Sequence, residues 1–157
     1  MKIRQAVQED VEALSRLNAH VQRLHAEAHP DQFKMPEKDD FAVAFFRSMM
    51  ENPEIFIYIA EEEQPLGYII LRVVHREETP FMVAWDMLYI DQIGVQPEFQ
   101  GKGVGKALMA QAERQAAQEG LDMVALDSWG FNTQAHDFFH SQGYQEYNLR
   151  MWKKLTK

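Results

Sequence analysis

"YIDQIGVQPEFQGKGVGKALM", from Tyr89 to Met109, changes character twice. Its first residues, Tyr89 to Val95, are rich in strand-forming side chains, and Pro97 ends that run. Glycine then stands at alternate positions 101, 103 and 105, and from Val104 the apolar residues Ala107, Leu108 and Ala112 recur at helical spacing. One glycine is enough for a tight turn. Three, beside Gln100 and Lys102, point to backbone N–H groups gathered at a helix start, where an anion is held by amides and by the helix dipole. The segment reads as strand, phosphate-binding loop and helix.

Two familiar phosphate loops do not fit. A Walker-type loop needs four residues between its first glycine and Gly-Lys, then Ser or Thr for magnesium. Here Lys102, Gly103 and Val104 alone separate Gly101 from Gly105, and Ala107 follows Lys106. A dinucleotide loop reads G-x-G-x-x-G directly after its strand. Here the sixth position is Lys106, and "QPEFQ" intervenes.

Outward from this segment, "KIRQAV" reads as a first strand, and Asp10 as the N-cap of a helix carrying Val11, Leu14, Leu17, Val21 and Leu24. "DFAVAFFRSMM" is a second helix. "EIFIYIAEE" and "LGYIILRVV" flank the turn "EEEQP" as an antiparallel hairpin, and "FMVAWDMLYIDQIGV" is the long strand before the loop. The third helix spans about Gly103 to Glu119. "LDMVALDSW" is a strand, "NTQAHDFFHSQ" a short helix, and "YQEYNLRMWKKL" supplies one or two last strands. The order predicts a mixed α/β layer with one crossover around the loop.

The 157 residues suit one domain, 1–157, with a core that needs no staples. With no cysteine there is no disulfide, thiolate metal site or cysteinyl intermediate. A net charge of -8 argues against a nucleic-acid partner and mildly favours a cationic one. No apolar run is long enough for a membrane span and the N-terminus lacks an apolar signal core, so the expected location is cytoplasmic.

Gln100, Gly103 and Gly105 form Q-x-x-G-x-G. With "IRQAVQED" (3–10) and "NTQAHDFFHSQGY" (132–144), in that order and spacing, the chain resembles the GCN5-related N-acetyltransferase superfamily over nearly its whole length. The resemblance implies an α/β fold with a mostly antiparallel mixed sheet, one parallel, splayed strand pair, and helices on both faces. It implies acetyl-CoA as cosubstrate, no metal, and direct transfer to a primary amine of a small molecule or peptide in a ternary complex. Gln100, Gly101, Lys102, Gly103, Val104, Gly105 and Lys106 would hold the pyrophosphate. Ile93, Gly94 and Val95 would line the splayed strand, where backbone amides near Ile93 and Val95 bond pantetheine and polarise the thioester. Asn132 would contact pantetheine; it is equally suited to a plain helix cap.

A protonated amine must lose a proton before attack. Asp91 sits where many family members carry an acidic residue, and is the candidate base; an ordinary salt bridge is the alternative reading. The family's tyrosine that protonates the departing thiolate is replaced by Phe139, which has no proton to donate. Tyr144, His140 or a water are the candidate acids, and a thiol with a pKa of about 8.5 leaves tolerably without one. Six histidines include no recognisable metal motif, although His136 and His140 lie four apart. The resemblance also implies an acceptor side formed by the region around His25, His29 and Phe33, and, since family members with edge strands like the C-terminal one often dimerise, a homodimer. A non-catalytic acyl-CoA-binding module is the alternative function.

Overall fold

Lys2–Gln5 (β1), Ile55–Glu61 (β2), Pro65–Arg76 (β3) and Trp85–Val95 (β4) form an antiparallel meander in the computed structural model, which describes residues 1–155. Val124–Leu126 (β5) joins β4 in parallel and completes the order β1-β2-β3-β4-β5. Val11–Ala28 (α1) and Val43–Met49 (α2) precede the hairpin, and Val104–Gln118 (α3) makes the crossover to β5. Thr133–Ser141 (α4) follows. The chain divides into two compact units, residues 1–127 and 128–157.

In the first unit, helices cover both sheet faces. On one face, Val11, Leu14 and Leu17 of α1 and Phe46 and Met49 of α2 pack with Ile57, Ile59, Tyr68 and Ile70 into one buried cluster. Alternation along a strand sends the intervening residues to the other side. There α3, with Leu108, Met109, Ala112 and Ala116 buried, packs across β2, β3 and β4. Each large apolar side chain so buried contributes about 1.5–3 kcal/mol.

Polar ties fix the helices. Ser15 Oγ donates to the Asp39 carbonyl at 2.6 Å and accepts from Ala42 N at 3.1 Å, joining α1 to the entry of α2. On the other face, the Tyr58 hydroxyl donates to Gln115 Oε1 of α3 at 2.6 Å.

Most predicted elements form; several have shorter ends, and β3 runs beyond the predicted stretch at both of its own. Asp10 precedes α1 but makes no cap to it; its carboxylate receives Arg4 Nη1 and Nη2 at 2.6 and 2.8 Å and Val7 N at 2.8 Å. The predicted strands in "YQEYNLRMWKKL" (144–155) are not formed. A strand needs a partner for its backbone. Tyr147, Leu149, Met151 and Trp152 instead lie exposed, and the edge strand behind the homodimer expectation is missing. Among the described residues, no helix is long and apolar enough to cross a membrane.

Arg4 and Asp10 yield a pH prediction. The Arg4 guanidinium first, and then Val7 N, hold the Asp10 carboxyl below its ordinary value against the opposing effect of burial. Stability from this lowered pKa is present above the unfolded value of about 3.9 and is lost as pH falls through the folded one. Asp10→Ala should cost about 1–3 kcal/mol at pH 7, by urea melts, and the difference from the parent should shrink below about pH 4. An unchanged difference at acid pH would contradict this.

Candidate active site

The geometry of the site begins with a fault in β4. Ile70 faces Gln92, but its neighbour Leu71 faces Ile90, so Asp91 is an extra residue in the ladder, a β-bulge. Backbone groups along a strand point alternately to its two edges. Leu88 N donates to Met123 O, directing Leu88 and Ile90 toward β5. Without the bulge, residues 92 and 94 would continue that phase. Gln96 N instead donates to Leu66 O on the β3 side. Gly94 and Gln92 share that side, and Ile93 and Val95 point to the opposite edge. The extra residue has reversed the phase.

That opposite edge is open. β5 pairs with β4 at Leu88, Tyr89 and Ile90 only; among the described residues no strand pairs with this edge beyond Ile90. Two main-chain N–H groups, of Ile93 and Val95, therefore line a stretch of strand without a strand neighbour. The Val95 carbonyl on the same edge accepts from Gln100 Nε2 at 3.1 Å, which ties the following loop back to the strand.

The loop delivers the chain to α3. Pro97–Phe99 make a 3-10 turn, Gly101 has φ of 72° and Gly103 has φ of 85°, in the region that favours glycine. A Cβ at either position would meet nothing within 4 Å, so conformation, not space, demands glycine here. Gly105 already lies in the first turn of α3. No side chain caps this helix, and its first amides are left to an anion or to water. The Lys102 ammonium lies 5.4 Å from the Phe99 ring centroid, and Lys106 is exposed. Val104 is buried, and anchors the helix start in the core.

Gly94 has a different cause. A Cβ there would fall 2.7 Å from Tyr68 Cε1 and 2.9 Å from Val21 Cγ2. Tyr68 is its cross-strand partner, and its ring covers the glycine. The close approach at this residue is made by the protein itself.

Asp91 is ion-paired, its Oδ2 receiving Arg72 Nη2 at 2.6 Å and Nε at 2.9 Å. The pairing is the salt bridge anticipated as the alternative, and it coexists with a place at the bulge. Tyr89, the cross-strand partner of Arg72, joins this group; its pKa is pushed up to about 12, by burial first and then by Asp127, to which it is hydrogen-bonded. Sequence reading had not singled out Arg72 or located a bulge at Asp91. A bulge leaves no reliable trace in one sequence.

Asn132, Phe139, His140 and Tyr144 belong to the second unit. Asn132 Oδ1 accepts from Ala135 N at 3.3 Å and caps α4. Phe139 is buried, its ring centroid 5.4 Å from that of Phe138 and 6.2 Å from that of Tyr144. His140 Nε2 and Glu146 Oε1 are 2.8 Å apart at the surface. Among the described residues no group of three or more His, Asp or Glu could hold a metal. His75 has acidic partners, Asp86 at Nδ1 (3.0 Å) and Glu54 at Nε2 (3.2 Å), but they lie on different ring nitrogens and do not converge.

Against known proteins, the model of the acetyltransferase (GNAT) family matches residues 18–144. The uncharacterized N-acetyltransferase YhfO of Bacillus subtilis is 29% identical over 148 residues, 93% of this chain and 91% of its own. An aminoglycoside N(6')-acetyltransferase type 1 of Stenotrophomonas maltophilia is 28% identical over 119 residues, 71% of this chain and 72% of its own. The solved structure of a tetramutant of the BH1408 protein of Bacillus halodurans shares the fold, with a TM-score of 0.93 at 23% identity over 99% of this chain and 100% of that one.

The glycines can be tested separately. Gly94→Ala should destabilise the fold by about 1–3 kcal/mol, because Tyr68 and Val21 must shift. Gly103→Ala meets no neighbour and should cost about 1–2 kcal/mol through its positive φ alone. Chemical denaturation of both variants checks this; a silent Gly94→Ala would refute the packing account.

Proposed function

Because this chain belongs to the acetyltransferase (GNAT) family and is an acetyl-CoA-dependent N-acetyltransferase, we propose that it acetylates a cationic primary amine of a small molecule, by direct attack in a ternary complex. The observation that carries the site assignment is the phase reversal at Asp91, which leaves the amides of Ile93 and Val95 on an open strand edge just before the loop to α3.

Acetyl-CoA supplies the activated thioester carbonyl. In this reading the amides at the start of α3 and of the loop Gln100–Lys106 hold the pyrophosphate, for which glycine φ values and an uncapped helix start are suited. The Ile93 and Val95 amides bond the pantetheine arm and polarise the carbonyl. Their dipoles are fixed by the strand before charge develops, which makes them effective stabilisers of an oxyanion. Asp91 takes the proton from the incoming ammonium, directly or through a water. Arg72 holds the carboxylate in place. Asn132 caps α4 and contacts pantetheine. With Phe139 at the tyrosine position, Tyr144, His140 or solvent protonates the thiolate, or it departs as such.

Three things support a cationic acceptor: the net charge of -8, the carboxylates of Asp91 and Asp127 around Tyr89, and the name of the Stenotrophomonas relative. The family match runs through residue 127 into the second unit, which supports reading residues 1–157 as one acyltransferase domain. Phe139 favours a second reading, a module that binds acyl-CoA without turning it over.

Release of free thiol from acetyl-CoA, screened at pH 8 over polyamines, amino sugars and peptide N-termini, distinguishes the two. The chain has no cysteine, so all thiol detected is CoA. Asp91→Asn should lower kcat/KM by about 100-fold or more, as for a lost general base, with acetyl-CoA affinity unchanged. It should scarcely alter stability, because the Arg72 partner is 45% exposed and such pairs contribute about 0–1 kcal/mol. Gly103→Glu should abolish acetyl-CoA binding. Release that needs no amine, or full activity in Asp91→Asn, would overturn the assignments.

A further inference from the structure

One buried polar cluster serves neither the sheet ladder nor a helix cap. Asn18 of α1, Tyr68 of β3 and Gln92 of β4 meet beneath α1. Asn18 Nδ2 donates to the Tyr68 hydroxyl at 2.7 Å and to Gln92 Oε1 at 2.7 Å, and the Tyr68 hydroxyl donates to Gln92 Oε1 at 2.9 Å. Tyr68 is fully buried and Asn18 is 6% exposed. Three closed hydrogen bonds in a core pair Asn18 Nδ2, the Tyr68 hydroxyl and Gln92 Oε1, but an apolar trio of similar shape would be about as stable. Stability alone is a weak reason for such a cluster.

Its location supplies a stronger one. Gln92 is the residue directly after the extra residue Asp91, and it re-enters the ladder opposite Ile70. Tyr68 pairs with Gly94, so the cluster grips β4 on the face of α1 at 92 while the Tyr68 ring presses on 94. The residues between and after these grips, 93 and 95, carry the amides directed to the open edge. The β3 ladder holds this strand on one edge only and the Arg72 tie to Asp91 is exposed, so a buried anchor directly after the extra residue adds a grip against its sliding along the ladder. One step of slippage would turn Ile93 and Val95 back toward β3.

We propose that the Asn18–Tyr68–Gln92 cluster is a positioning device that pins the register of the bulge, and through it the direction of the Ile93 and Val95 amides. The proposal rests on the role given to those amides above. It assigns catalytic consequence to three side chains that act through β4. Burial keeps the Tyr68 phenol neutral far above ordinary working pH, so its donated hydrogen bond persists over that range.

Tyr68→Phe is the informative substitution, since it deletes the hydroxyl and keeps the ring over Gly94. Gln92→Leu, which removes the shared acceptor, is the second variant. Two readouts are required. In the free protein, amide hydrogen exchange of Gln92, Gly94 and Gln96, whose amides face β3, should accelerate about tenfold or more in both variants, while α3 and β2 keep their protection. In the assay, kcat should fall by about tenfold, a fraction of the 100- to 1,000-fold that follows loss of an oxyanion donor. The KM for acetyl-CoA should rise by less than kcat falls, because the pantetheine bonds of 93 and 95 are loosened while the pyrophosphate loop is untouched.

A cluster that is only structural would lower the unfolding midpoint and leave both the local exchange of Gln92, Gly94 and Gln96 and kcat at parent values; that result overturns the proposal. Failure of the underlying reading is separately visible: acetyl-CoA would then give no exchange protection at Ile93 and Val95 in the parent protein. If protection is present in the parent and retained in both variants with normal kcat, the amides keep their role and the positioning device is refuted.

Discussion

The fold turns on one unpaired residue. Asp91 has no opposite number on β3, and everything beyond it in β4 is displaced by half a repeat. Hydrogen-bonding groups that would have faced β3 face the open edge instead, and a carboxylate is set beside the reversal. The same strand thus has two regimes. From Leu88 to Ile90 it is an ordinary central strand with partners on both edges, and after Asp91 it is paired on one side and presents the amides of Ile93 and Val95 on the other.

That arrangement is only tolerable because the surroundings compensate. Unpaired main-chain donors are costly when buried. Here the strand stays anchored along β3, and Gln96 donates through both its backbone, to Leu66, and its side chain, to Pro65. Gln100 then returns to the Val95 carbonyl before two left-handed glycines turn the chain into α3. Strand edge, loop and helix start therefore present successive amides along one continuous stretch of chain. A cosubstrate with a polar arm and a diphosphate matches such a succession better than a compact ligand would.

Legibility in the sequence followed the range of the interactions. The helices and strands of the first unit were readable because amphipathic periodicity is local, and the loop was readable because Gly101 and Gly103 sit where positive φ is needed. Asp10 was correctly placed beside α1 but misjudged as its cap, since Arg4 lies across the strand–helix junction and competes for the carboxylate. Gly94 was read only as part of the splayed strand, because the Tyr68 ring that excludes a side chain there lies on another strand and could not be named. The bulge and the Asn18–Tyr68–Gln92 cluster depend on register and on contacts between α1, β3 and β4, which one sequence does not encode visibly. The alternating apolar residues after Tyr144 illustrate the converse error. Period-two patterning marks strand propensity, but Tyr147, Leu149 and Met151 form no strand where no partner strand is supplied.

The most direct measurement of the central claim is an amide-resolved NMR titration of the unmodified protein with acetyl-CoA. The account predicts that the N–H signals of Ile93 and Val95 move together with those of Gly101 to Gly105, at one affinity, while Gln92 and Gly94, which face β3, move much less. Perturbation spread equally over 92 to 95, or confined to the loop with Ile93 and Val95 unmoved, would contradict it.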